Sequence, residues 1–377
     1  MRRHIFSGIF LALLFGLGAC ANHPLHLTKA ERPSKFFQRI WARDLDAPAY
    51  GEGNLAVALN SPLVLPAKNL IITGDAHGRL QARELASGKL VWTQEDQADQ
   101  FTAPVWAAEA QMIIYGTAQG RVNARDLKTG ALRYTINLGS PIVAPGKLAQ
   151  GRILFQLGNH QLMCLDAATG KILWSYKRAV PYFLTLQKAA SPLVLASKVL
   201  VGEADGSLVA LRLEDGQLLW ETKLSTGSRF VDVDVNPYVA KGMVYVAATS
   251  GPLQKLDLKT GKMIARAEFS PAVTPRVWQG DRLAATRDGR LVIYADNLAI
   301  KRQATITKQA ITALTIWKDH AIVATDDGFI SAYDLKDFKL REAFHLGHDY
   351  SAVLGDLVAT PKYLALLSSR YHLYVWQ

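Results

Sequence analysis

Beyond about residue 36 the chain is a succession of short segments in which apolar and polar positions alternate. The stretch carrying Leu208, Ala210 and Arg212 shows the two-residue period, which sends successive side chains to opposite faces of a strand. Thr-Gly and Asp-Gly pairs stand between such segments, and these are residues that tight turns require. The pattern recurs as one unit. A Pro-led apolar strand and a short polar turn lead to a second apolar strand. A Gly, an alternating strand, an Asp before a Thr-Gly turn and a last strand bearing Trp complete it. The clearest copy is GNHQLMCLDAATGKILWSYK, with Asp166, Thr169-Gly170 and Trp174. GRLQARELASGKLVW supplies Glu84, Gly88 and Trp92, and GSLVALRLEDGQLLW supplies Gly216 and Trp220. GRVNARDLKTGALRY has Asp126 and Gly130 but Tyr134 in place of Trp, and GPLQKLDLKTGKMIA has Asp257 and Gly261 but Ala265. The last copies, DGRLVIYADNLAI and DGFISAYDLKDFKL, are weaker.

Unit starts fall at Pro62, Pro104, Pro145, Pro192, Pro237, Pro275, Ala313 and Pro361. Repeats of this length are the mark of a closed or stacked array. Too little chain follows Pro361 for a whole unit, but FFQRIWARDL (36–45) looks like an isolated fourth strand, with Trp41 at the Trp position. The expectation is an all-β, eight-bladed β-propeller of four-stranded antiparallel blades, closed by the N-terminal strand completing the C-terminal blade. Closure removes the long free sheet edge, and each blade buries its apolar faces only against its neighbours.

This repeat resembles that of the quinoprotein (PQQ-type) propellers. The resemblance implies that the Trp packs against the next blade, a blade-docking role falling on Trp41, Trp92, Trp174 and Trp220, with Tyr134 and Ala265 as departures. It also raises a quinone-dependent dehydrogenase, which in that family needs calcium, a catalytic Asp and often an adjacent-cysteine disulfide. The chain has two cysteines, Cys20 and Cys164, and no Cys-Cys pair. Each repeat Asp has a structural task, accepting N–H groups of its turn. Cys164 aligns with Ala82, Ala124 and Ala210, as a small core residue would. His345, His348 and Asp349 form an H-x-x-H-D cluster without the helical spacing that aims two rings at one metal. The expectation is therefore no catalysis, no cofactor and no metal.

The first residues change the picture. Arg2 and Arg3 precede an apolar run from Ile5 to Ala19, the layout of a secretory signal, and shorter than the roughly 20 residues a membrane span needs. It ends Leu17-Gly18-Ala19-Cys20, which resembles a bacterial lipobox and implies acylation of Cys20. Ala21 follows, without the Asp that resembles an inner-membrane retention signal. The expected layout is a signal peptide (1–19), a lipidated tether (20–35, with His23 and His26 solvated) and the propeller (36–377), held on the periplasmic face of the outer membrane. Formal charge is +11 and pI about 9.5, which suits an anionic surface or an acidic partner. Aromatic and basic residues are not interleaved, so no nucleic acid is expected.

The repeat is broken by two long neighbouring crossovers, KRAVPYFLTLQKAASP (177–192) and STGSRFVDVDVNP (225–237). The first puts Tyr182, Phe183, Leu184 and Leu186 in a connector; in the second, Asp232 and Asp234 alternate with valines. An apolar and an acidic protrusion side by side look like a protein-docking patch. Lipobox, eight blades and these two loops together resemble the BamB family of lipoproteins of the β-barrel assembly machinery. The likeness is strongest through LTLQKAASP, DGSLVALRLEDGQLLW, DVDVNP and LDLKTGK. It implies a non-catalytic scaffold that docks on a POTRA domain of the barrel-inserting subunit (BamA-like), with unfolded outer-membrane proteins as clients. Partner contacts would fall on Leu184, Leu186, Asp232 and Asp234, and Gln187 stands where the family has Arg. The runner-up is another envelope scaffold on the same propeller.

Overall fold

The computed structural model describes residues 35–45, 57–75, 77–96, 101–178, 190–225, 231–249, 251–347 and 351–377. Among them, 32 strands pair into eight four-stranded antiparallel sheets. In chain order these are blade 1 (63–95), blade 2 (105–137), blade 3 (147–177), blade 4 (193–223), blade 5 (238–266), blade 6 (276–305) and blade 7 (311–345). Blade 8 takes Val358–Ala359, Leu364–Leu367 and His372–Trp376 from the C-terminus and its outer strand, Arg39–Asp44, from the N-terminus. Trp41 is registered with Val375 and Asp44 with His372. The propeller expected from the repeat is the fold observed, within a compact unit spanning Phe36–Gln377.

Its core is divided among the blade interfaces. Ile72, Leu80 and Trp92 of blade 1 pack with Ile113, Tyr115 and Leu127 of blade 2. Leu154, Leu162 and Trp174 of blade 3 pack with Val199, Val209 and Leu213 of blade 4. Each fully buried aliphatic side chain is worth about 1.5–3 kcal/mol, so a blade's stability comes almost wholly from its two neighbours.

One position of the fourth strand joins each blade to the next. Trp41 Nε1 donates to Leu85 O at 2.8 Å, Trp92 to Leu127 O at 3.0 Å, Trp174 to Leu213 O at 2.9 Å and Trp220 to Leu258 O at 3.1 Å. Tyr134 does the same through its hydroxyl, to Ala167 O at 2.9 Å. Each ring lies on a turn glycine of the next blade with positive φ: Gly88, Gly130, Gly170, Gly216 or Gly261. A Cβ on any of them would come within 3.0 Å of the ring, so glycine is needed for both conformation and space. Where the ring is missing, so is the glycine. Ala265 shares a core cluster with Leu298 of blade 6, which takes the turn at φ 70. Arg302 donates to Leu335 O at 2.8 Å, and its guanidinium lies 5.9 Å from the ring of Phe338, whose φ is 59. At blade 7 the position is Glu342, whose carboxylate accepts from Phe36 N at 2.9 Å.

The repeat aspartates close the turns. Asp166 Oδ1 accepts from Ala168 N, Thr169 N and Thr169 Oγ1 at 3.1, 2.8 and 2.7 Å. The Thr169 bonds hold its carboxyl below the ordinary range. Cys164 lies opposite Trp174, as Ala82 lies opposite Trp92 and Ala210 opposite Trp220. That site admits only a small residue beneath the indole.

Candidate functional site

The crossovers between blades and the turns between second and third strands meet on one face. There the 231–237 crossover is tucked in. Val231, Val233 and Val235 are buried at 2%, 1% and 1% exposure, and alternation turns the aspartates the other way. Val233 N donates to Glu203 O and Ala190 N to Val233 O, both at 3.2 Å. Asp232 O accepts from Thr249 N at 2.8 Å and Thr249 Oγ1 at 3.0 Å, and Asn236 N donates to Thr274 Oγ1 at 3.2 Å. The segment thereby ties blade 4 to blade 5 and to the crossover that leads into blade 6. Gly202 makes room for it: a Cβ there would meet Val233 at 2.6 Å.

The exposed acidic protrusion expected from the sequence is thus corrected. Asp232 is only 4% exposed, and Asp234 is paired at 2.7 Å with Arg287 of blade 6. The alternating V-D-V-D-V pattern was the signal, since it describes a segment packed on one side rather than a solvated loop. Leu184, Leu186 and Gln187 lie outside the described residues, as do Cys20, His348 and Asp349.

On the same face is a cavity of about 430 Å³. Phe101, Pro141, Ile142, Val143, Leu157 and Val233 give it apolar walls, and Asn60, Gln156, His160, Glu203 and Asp232 add polar groups. Glu203 is 2% exposed. Burial, and after it the neighbouring Asp205 carboxylate, pushes its carboxyl up to about 8. Asp205 is itself held by Arg178 at 2.8 Å and Lys223 at 3.5 Å, and Arg178 also binds Glu221 at 2.6 Å.

Glu203 was not singled out in the sequence, although a signal existed. It directly follows the second strand, where blades 1, 2, 6 and 8 place short side chains that cap the following turn and blade 3 places Leu157. Asp75 Oδ1 accepts from Arg79 N at 3.0 Å, Thr117 Oγ1 from Arg121 N at 3.1 Å, Thr286 Oγ1 from Arg290 N at 3.0 Å and Ser368 Oγ from His372 N at 3.1 Å. The longer Glu203 side chain makes no such bond among the described residues.

The remaining chemical candidates have local tasks. Cys164 is a free, buried cysteine, and burial pushes its thiol up to about 12, far from a reactive thiolate. His345 accepts from Gly347 N at 3.1 Å through Nδ1 and lies edge-on to Phe329. Among the described residues no three metal-ligating side chains gather.

A ring of eight four-stranded blades, most of them joined by a Trp or Tyr ring on a turn glycine of the next, defines an eight-bladed β-propeller. A family model described as outer membrane protein assembly factor BamB matches residues 76–296, more than half of the chain, and the chain belongs to that family. The outer membrane protein assembly factor BamB of Yersinia pestis is 26% identical over 211 residues, 52% of this chain and 51% of that one. The protein of the same name from Escherichia coli K12 is 25% identical over 170 residues, 41% of each chain. The matched stretch therefore spans about half the length of these relatives or less. The crystal structure of BamB from Moraxella catarrhalis superposes with a TM-score of 0.76 at 21% identity, covering 90% of this chain and 99% of that one. It shares the fold.

Proposed function

We propose that this chain is a non-catalytic lipoprotein scaffold of the outer-membrane β-barrel assembly machinery. The match to the BamB family model across residues 76–296 carries this reading. Acylated Cys20 tethers the propeller to the periplasmic face of the outer membrane. The face bearing the long crossovers docks on POTRA domains of the barrel-inserting, BamA-like subunit, and unfolded outer-membrane proteins are delivered toward insertion alongside it.

The partner contact falls on Leu184, Leu186 and Gln187 and on the Asp234–Arg287 pair. Asp232, being buried, contributes by holding its crossover in place. Apolar area buried on docking supplies about 25 cal/mol per Å² before association costs. The test is affinity purification of the tagged chain from detergent-solubilised envelopes. A barrel-inserting outer-membrane protein should co-purify in stoichiometric amount. Recovery of a different envelope partner, with that protein absent, overturns the assignment.

A further inference from the structure

The cavity at the propeller's mouth has a chemical bias that the docking role does not use. Asn60 and Gln156 are 6% and 4% exposed. Their Oδ1 and Oε1 atoms are buried and without a hydrogen-bond partner among the described residues. The Gln156 amide is oriented by its Nε2, which donates to Gly202 O at 3.1 Å, so it is the acceptor that is left over. No hydrogen bond reaches the Glu203 carboxyl among the described residues either. All three groups line the same cavity, and they come from three different elements: the crossover into blade 1, the second strand of blade 3 and the turn that follows the second strand of blade 4. Buried acceptors without donors, as Asn60 Oδ1 and Gln156 Oε1 are among the described residues, cost free energy until a donor arrives.

We propose that this cavity binds a primary alkylammonium group, as carried by a lysine side chain or a free diamine. An ammonium offers three rotatable donors and no acceptor, which suits single oxygens supplied from separate elements. A guanidinium instead demands planar, paired acceptors. The aliphatic stem of such a ligand lies along apolar walls while its charged end seeks oxygen, and Phe101, Ile142, Leu157 and Val233 provide those walls. The surrounding field is acidic. Asp205 and Glu221 act on Glu203, with Arg178 opposing them; Tyr176 feels the Glu203 charge, and Asp232 and His160 line the same cavity. This inference does not rest on the docking proposed above.

The test is calorimetric titration of the whole chain with three probes: a capped pentapeptide with central lysine, the same peptide with norleucine, and cadaverine. The ammonium probes should bind about tenfold or more tighter than the norleucine peptide. Because an arriving cation favours the ionised Glu203, binding near pH 7 should release protons, read from heats in buffers of different ionisation enthalpy. Glu203→Gln should abolish both the preference and the proton release with the far-UV spectrum unchanged. A lysine peptide tighter than cadaverine identifies a protein side chain as the source, and the reverse order a free amine. Should Glu203→Gln fail to fold, Asn60→Leu and the wild-type proton count decide instead. Equal binding of the norleucine peptide, or binding without proton release, overturns the proposal.

Discussion

The indole of Trp174 lies directly on Gly216 of the next blade, and a Cβ added to that glycine would stand 2.6 Å from the ring. Gly216 has φ +74, and Trp174 Nε1 donates to Leu213 O in the same turn. Conformation, ring packing and hydrogen bond are thus one unit, repeated around most of the propeller.

Gly216→Ala should therefore destabilise by more than the cost of left-handed backbone alone, about 1–2 kcal/mol. Gly242→Ala is the control, since Gly242 has φ +73 but nothing within 4 Å of its Cβ position. Urea midpoints of the two variants compare ring displacement with strain. Equal shifts mean that the Trp contact adds nothing.

The junction between blades 5 and 6 offers the converse experiment. Ala265→Trp alone should be destabilising, because Leu298 occupies the turn where the ring would lie. Leu298→Gly alone removes a side chain that is 6% exposed and should cost about 2–4 kcal/mol. The double variant should recover at least about 1 kcal/mol of the sum, a coupling measurable in a double-mutant cycle. Strict additivity refutes the exchange of a Trp-on-Gly contact for an Ala–Leu one.

Glu203 makes stability depend on pH. Its carboxyl is raised from the ordinary 4.5 to about 8, so between those values the folded chain keeps a proton that the unfolded chain has lost. Its contribution is full below the lower value and falls as pH rises through the window. Glu203→Gln removes that fall. The melting temperature of the variant relative to wild type should rise from about pH 4.5 to about pH 8 and level off above. A constant difference shows that the carboxyl titrates normally.

Leu184→Ala should weaken partner binding by about 1 kcal/mol or more with an unchanged melting temperature. Asp232→Ala, at a buried site, should instead lower the melting temperature. Surface plasmon resonance and calorimetry separate the two. Loss of stability on changing Leu184 places that leucine in the core and removes it from the proposed interface.

Cys20→Ser should release the chain into the soluble periplasmic fraction if acylation is its membrane attachment. Retention in membranes after a high-salt wash defeats the tether proposed here.

Much of the fold was legible because the same unit recurs. Two-residue alternation, turn glycines and the stray Trp41 together specified strands, blade count and ring closure. The face bearing the crossovers was less legible for a physical reason. Period-2 alternation in a crossover has the same appearance whether the polar positions face solvent or a neighbouring blade, and only packing distinguishes them. Asp232 was thus read as exposed when it is buried. Glu203 escaped notice because its distinction is relative: it differs from the capping residues of blades 1, 2, 6 and 8, and its acidity gains meaning only beside Asp205 and the open acceptors of Asn60 and Gln156.

Ring closure also sets an order in time. The strand Arg39–Asp44 is among the first parts of the propeller to be synthesised, yet its partner His372–Trp376 is the last. The contact from Phe36 to Glu342 spans 306 positions. The strand Arg39–Asp44 therefore stays without its sheet partner until His372–Trp376 is available. Blades 1 to 7 are each built from one continuous stretch of chain, whereas blade 8 needs both ends of the propeller. The closing pair thus makes the contact of longest sequence separation the one that completes the ring, and contacts of that kind form slowly because loop closure comes first.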